Sequence, residues 1–138
     1  MNTTFVIIKP DAIERGLLGQ IITRFENMGL YIVKIEKRAK KQAWCRKHYK
    51  DINIDKVYAS LEICMCSSPL IGIILSGEFA ITRVRKMIGV TNAIEAAPGT
   101  IRGDLGKYAG PYNLIHASDS QEAVQREVEL FFDKDTDV

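Results

Sequence analysis

Nothing in the sequence approaches the ~20 consecutive apolar residues that a membrane-spanning helix needs. The opening Met1-Asn-Thr-Thr has no positively charged segment ahead of an apolar stretch and leads straight into a strand pattern, so no secretory signal is expected there. Cysteine is scarce. Three of them, an odd number, do not make a disulfide framework. No internal repeat and no low-complexity segment interrupts the chain. Charge of one sign is missing too: 19 basic against 17 acidic residues leave +2, too balanced to argue for nucleic acid. These absences predict a soluble, cytoplasmic protein with no membrane partner. At 138 residues it is expected to be a single domain spanning 1–138, large enough to bury a core without staples.

The cysteines raise one competing idea. Cys45-x-x-His48 and Cys64-x-Cys66 together supply four soft ligands of the kind a zinc site uses. Cys64 and Cys66 fall in an apolar stretch that reads as a helix, however, and residues two apart do not face each other there. Small buried thiols are the simpler reading.

What is present is regular alternation of strand and helix patterns. Thr4 to Lys9 is a β-branched run fit for a central strand, stopped by Pro10. From Leu17 to Met28 apolar residues recur at helical spacing, and Gly29 follows as a helix stop. Tyr31 to Glu36 alternates as a second strand. Its basic continuation, Lys37 to Lys41, reads as a solvated strand end; few aromatics interleave with it, so a nucleic-acid surface is not expected. Gln42–Lys50 and Lys56–Cys66 read as helices, Leu70–Leu75 as a third buried strand, and Phe79–Ile88 as a helix with Arg83, Arg85 and Lys86 outward. Thr91 to Pro111 lacks clear periodicity, and a loop this long in a compact domain is usually functional or disordered. Asn113–His116 is the last strand, Gln121–Phe132 the last helix, and Asp133–Val138 a short acidic tail. The order predicts an α/β (α+β) fold: a ferredoxin-like split βαβ sandwich with helices on one face of the sheet.

The chemistry concentrates at Asn113-Leu-Ile-His116-Ala-Ser-Asp-Ser120. Ser118, Asp119 and Ser120 offer oxygens to cap a helix starting near Ser120, which puts His116 at a strand exit one turn before a helix N-terminus. Helix N–H groups there disfavour imidazolium and attract an anion, and a neutral imidazole beside a phosphate site suits a nucleophile. Cations stand ready in separate segments, namely Lys9, Arg85 and Arg102, with Thr91 and Thr100 adding hydroxyls. The Gly99 and Gly103 positions could let backbone approach a ligand. Glu127 lies on or beside the apolar stripe of the last helix, where a carboxylate needs a partner such as one nitrogen of an attacking histidine. There is no Gly-x-x-x-x-Gly-Lys-Ser/Thr stretch and no protein-kinase signature set.

Asn113-x-x-His116-Ala-Ser-Asp resembles the active-site signature of nucleoside diphosphate kinases. The resemblance continues through Lys9-Pro-Asp11, Arg85, Thr91-Asn92 and Pro98-Gly-Thr-Ile-Arg102-Gly-Asp104, from about Thr4 to Phe132. It implies the same ferredoxin-like fold with an antiparallel four-stranded sheet. It also implies transfer of the terminal phosphate of a nucleoside triphosphate to a nucleoside diphosphate, in a ping-pong cycle through a phosphohistidine at His116. By the same resemblance, Lys9 and Asn113 contact the ribose and sugar-phosphate region, and Arg85, Thr91 and Arg102 hold the phosphates. Tyr49 lines the pocket, Ser118 and Glu127 support the histidine, and Mg²⁺ is held mainly by the nucleotide's phosphates. A homohexamer is implied, with a tetramer as the alternative form. A catalytically silent nucleotide- or nucleic-acid-binding regulator with the same fold is the alternative function.

The sequence departs from the family pattern at a few positions. Val57 stands where members commonly stack an aromatic ring on the base. Ile52 replaces a histidine that reaches the phosphates, Ala93 replaces a proline, and the stretch from Asp104 to Asn113 is one residue longer than usual.

Overall fold

The computed structural model describes residues 2–52 and 55–138, with backbone only for 55–57. Four strands, β1 (Thr3–Ile8), β2 (Tyr31–Arg38), β3 (Leu70–Ser76) and β4 (Ile115–Ala117), form one antiparallel sheet in the order β2-β3-β1-β4. The N-terminal strand is therefore central. Val6, Ile7 and Ile8 of β1 pair with Ala117, His116 and Ile115 of β4 on one side, and with Ile73, Gly72 and Ile71 of β3 on the other.

Seven helices are described among these residues. They are α1 (Pro10–Glu14), α2 (Leu18–Asn27), α3 (Gln42–His48), α4 (Asp55–Cys66), α5 (Ala80–Ile88), α6 (Ile101–Leu105) and α7 (Gln121–Phe132). None described is long and apolar enough to cross a membrane.

Strand alternation divides the interior in two. Val6 and Ile8 point to a core shared with Ile21 and Phe25 of α2 and Val84 and Ile88 of α5. Phe5 and Ile7 point the other way, to Trp44 and Cys45 of α3, Met65 of α4, and Val124 and Phe131 of α7. Helices thus cover both faces, not one as the element order suggested, because every residue from Phe5 to Ile8 is apolar and buried. Gly72 sits where Phe131 crosses the sheet; a Cβ there would lie 2.3 Å from the ring.

Other differences from the sequence reading have local causes. Pro10 does not simply stop the chain after β1. It opens α1 at the first helical position, where its missing N–H costs nothing. Inside the stretch from Thr91 to Pro111, Thr100 caps α6 by accepting from the Gly103 N–H at 2.9 Å, and its own hydroxyl donates to the Ala97 carbonyl. Gly103 packs against Ala97, where a Cβ would meet the carbonyl oxygen at 1.9 Å. Thr100 and Gly103 are thus structural. The last strand begins two residues later than expected, because Leu114 takes φ +76° and breaks the extended run.

In the basic stretch Lys37 to Lys41, Lys37 and Lys41 are exposed as expected, but Arg38 and Lys40 are not. Lys40 is buried, and its ammonium donates to the Phe131 carbonyl, to Thr136 Oγ1 and to the Asp137 carboxylate. Arg38 reaches Asp137 as well, at 3.1 Å. The acidic tail is docked by these contacts and by a 3₁₀ turn at Lys134–Thr136. Among the cysteines, Cys45 and Cys64 are buried free thiols and Cys66 is half-buried.

Candidate active site

His116 is the middle residue of β4 and pairs with Ile7, so its side chain leaves the sheet on the side of α3 and α7. Ser120 caps α7, accepting from the Ala123 N–H at 3.1 Å, and so fixes the start of the helix that carries Glu127. Glu127 is buried, and its Oε1 meets His116 Nε2 at 2.6 Å and accepts from the Ser118 hydroxyl at 2.8 Å. Arg126 stands 3.5 Å from the other carboxylate oxygen and donates to the Lys47 and His48 carbonyls. With Nε2 engaged, Nδ1 is the nitrogen left for chemistry.

A cleft of about 640 Å³ opens in front of the histidine. Lys9, Tyr49, Arg85, Thr91, Arg102 and Asn113 all line it together with His116, so the segments that carry the sequence expectations converge. Lys9 sits one residue past β1 and donates to Asn113 Oδ1 at 2.8 Å and to the Pro111 carbonyl at 3.0 Å. Burial pushes its ammonium down to about 8, with the Arg102 charge acting in the same direction. Asn113 in turn donates to the Thr91 carbonyl at 2.8 Å.

The two arginines are held differently. Arg102 is buried, and its guanidinium donates to the carbonyls of Asn113, Gly89 and Ile115 at 3.2, 3.0 and 2.6 Å. Burial, then the neighbouring Arg85 charge, lowers it to about 10. Two of its five N–H groups remain for a ligand. Arg85 is exposed and makes one such bond, to the Ala117 carbonyl at 3.1 Å.

Tyr49 follows α3, with its hydroxyl buried and without a partner among the described residues. Burial holds that phenol well above its ordinary value. Ile52 lines the cleft, whereas Ala93 is buried against Gly106 and away from it. Val57 belongs to α4, but its side chain lies outside the described residues, so its expected place against a base is not on view.

One neighbour was visible in the sequence only as a zinc-ligand candidate. His48, at the end of α3, stacks edge-on against His116 with ring centroids 4.6 Å apart. Burial, followed by the neighbouring His116 and Arg126, holds it well below its ordinary value. Its adjacency to Tyr49 was the available signal.

The family model for nucleoside diphosphate kinase matches residues 2–136. The chain belongs to the nucleoside diphosphate kinase family. A nucleoside diphosphate kinase of Methanocaldococcus jannaschii is 47% identical over 132 residues, covering 96% of this chain and 94% of that one. One of Pyrococcus furiosus is 44% identical over 134 residues, covering 96% of this chain and 83% of its own. Among solved structures, a halophilic nucleoside diphosphate kinase from Halobacterium salinarum in complex with CDP superposes with a TM-score of 0.90 at 39% identity, covering 100% of this chain and 92% of that one. A transition-state mimic of the Borrelia burgdorferi enzyme with bound vanadate and ADP gives 0.89 at 33% identity, covering 99% and 89%. The four-stranded antiparallel sheet with helices packed on it is the fold of this kinase family. This chain is a phosphotransferase of that family.

Proposed function

We propose that His116 is the phosphate carrier of a nucleoside diphosphate kinase cycle in a single domain spanning residues 1–138. The observation that carries this reading is the His116 Nε2–Glu127 contact of 2.6 Å, with the ring's other nitrogen left for the cationic cleft. Nδ1 attacks the terminal phosphorus of a bound triphosphate. A P–N bond forms, the P–O bond to the diphosphate breaks, and the diphosphate leaves. A second diphosphate then attacks the phosphohistidine by the reverse route, which restores the free imidazole. Glu127, steadied by Ser118, keeps the proton on Nε2 and stabilises the positive charge the ring acquires when phosphorylated. Arg85, Arg102 and Thr91 hold phosphate oxygens, and Lys9 and Asn113 hold the sugar-phosphate region. Tyr49 closes the floor of the cleft beside the histidine.

The described lining of the cleft offers amides, hydroxyls and cations but no carboxylate. Mg²⁺, a hard oxygen-seeking cation, fits this set only through the nucleotide's own phosphates, where it supplies charge neutralisation. The convergence of Lys9, Arg85, Arg102 and Asn113 on His116 favours turnover over a silent regulatory role.

We place the protein in the cytoplasm and infer self-association, as a hexamer or else a tetramer. Edge strand β2 supports association: its Tyr31, Val33 and Ile35 are 74%, 60% and 43% exposed on a strand with an unpaired backbone edge. Sedimentation at working concentration tests this, and a monomer would remove it.

The deciding experiment is incubation with γ-labelled ATP. Acid-labile label on the protein that transfers to an added diphosphate is expected, and His116→Ala should abolish both. Full turnover in a folded His116→Ala protein would remove the reading.

A further inference from the structure

His48 has an unexplained position. It is 4% exposed, yet neither ring nitrogen has a partner among the described residues. A buried imidazole normally satisfies at least one nitrogen, so the absence of a partner points to something that binds there. It is packed between the Tyr49 and His116 rings, at centroid distances of 4.5 and 4.6 Å. One ligand atom each from His48, His116 and Glu127 lie within 4.8 Å of one another.

We propose that His48, His116 and Glu127 form a binding site for a borderline transition-metal cation of the Zn²⁺ type, distinct from the Mg²⁺ that accompanies the nucleotide, and that its occupation switches the kinase off. Two imidazoles and a carboxylate are the donor set of many three-ligand zinc sites, with the fourth position left for water. Bonds of ~2.0–2.2 Å in a tetrahedron put donor atoms roughly 3.3 Å apart. Glu127 Oε1 and His116 Nε2, now at 2.6 Å, must part slightly, and the His48 ring must close in. Mg²⁺ does not compete for such a site, because it demands oxygen ligands in octahedral array. Arg126 faces only the Oε2 side of Glu127, at 3.5 Å, and Oε1 keeps the Ser118 hydroxyl at 2.8 Å on one lone pair while turning the other, now on His116, to the metal. His116 is 20% exposed at its side chain and lines the cleft, which gives the ion its way in.

The inhibitory part rests on His116 being the phosphate carrier. Metal on Nε2 needs the lone pair there, so the proton that Nε2 carries moves through solvent to Nδ1. No proton is lost from the ring. Nδ1 has then given up the lone pair that attacks phosphorus, and Glu127 has exchanged its hydrogen bond for a metal bond.

The test measures binding separately from turnover. The full-length unphosphorylated protein is titrated with Zn²⁺ in a non-chelating buffer by equilibrium dialysis, and the zinc-loaded protein is examined by X-ray absorption. One ion per chain with imidazole scattering and no sulfur is expected. His48→Phe and Glu127→Gln should each weaken Zn²⁺ at least about tenfold. Sulfur in the first shell would move the ion to the thiols of Cys45, Cys64 or Cys66 and overturn the proposal. So would unchanged binding in both folded variants, or no stoichiometric binding. If His48→Phe fails to fold, the absorption spectrum of the unaltered chain still decides. A chain that binds zinc through these ligands yet keeps phosphorylating would overturn the inhibitory part of the proposal, while His116→Ala decides separately whether His116 is the carrier.

Discussion

The Asp11 carboxylate accepts a hydrogen bond from the Leu114 N–H at 3.1 Å, across 103 residues of chain. Leu114 holds φ +76°, a conformation that costs a bulky residue about 1–3 kcal/mol and persists only where its surroundings enforce it. Leu114 is fully buried, and it joins Asn113 in the cleft to β4. Asp11 therefore sets the turn that aims both Asn113 and His116. Asp11→Ala should lower stability by about 1–3 kcal/mol, read as a shift of the urea midpoint, and reduce turnover at saturating nucleotide. An unchanged midpoint would mean that the turn is held by the core alone.

Lys9 makes nucleotide binding sensitive to pH. Its ammonium is held down to about 8 by burial, and phosphate oxygens favour the charged form. Binding thus raises its pKa and takes up a proton in the window above 8. Affinity should fall as pH rises through that window, while below it the lysine is already charged and contributes fully. Calorimetry near pH 8.5 in buffers of different ionisation heat should show proton uptake on binding, and Lys9→Arg should abolish it.

The two arginines should separate in their effects. Arg85→Lys removes a guanidinium fork from an exposed side chain with one carbonyl bond, so KM should rise with little change in Tm. Arg102→Lys loses the fork that ties together the Asn113, Gly89 and Ile115 carbonyls, so melting temperature and turnover should fall together. Equal melting temperatures would show that the carbonyl clamp adds nothing.

Glu127→Ala should cut turnover by about 10–100-fold while leaving phosphoenzyme detectable, since the nucleophile remains and only its orientation is lost. Ser118→Ala, which removes one of the two bonds to the same oxygen, should have the smaller effect. Rapid-quench labelling distinguishes them from variants that lack the nucleophile.

Lys40→Ala should destabilise the fold by about 2–3 kcal/mol, because it leaves the Phe131 carbonyl and Thr136 without a donor. Asp137 keeps Arg38, which limits the loss. Thermal melting is the measurement, and turnover of the surviving folded protein should be near normal because Lys40 lies outside the cleft.

What the sequence makes legible here is local. Helix α7 was readable to its ends because Ser120 and an apolar stripe are both written in consecutive residues. The cleft residues were legible because several short motifs of one family occur in order. Lys40 could not be told from its solvated neighbours, since its partners Phe131, Thr136 and Asp137 lie more than 90 residues away. For the same reason Asp11 gave no hint that it holds Leu114, and the late start of β4 followed from that bond. His48 showed only as a zinc-ligand candidate, because its nearness to His116 exists only after α3 has packed on the sheet.

The central place of β1 has a bearing on how the chain is made. The strand leaves the ribosome well before its partners, β3 and then β4, which ends at Ala117. Until most of the polypeptide has emerged, the Phe5–Ile8 segment has no sheet to join and must be kept from other apolar surfaces. His116 arrives with the strand that completes the sheet. A nascent chain halted before that point would carry much of the core and most of the cleft's cations, yet lack both His116 and Glu127.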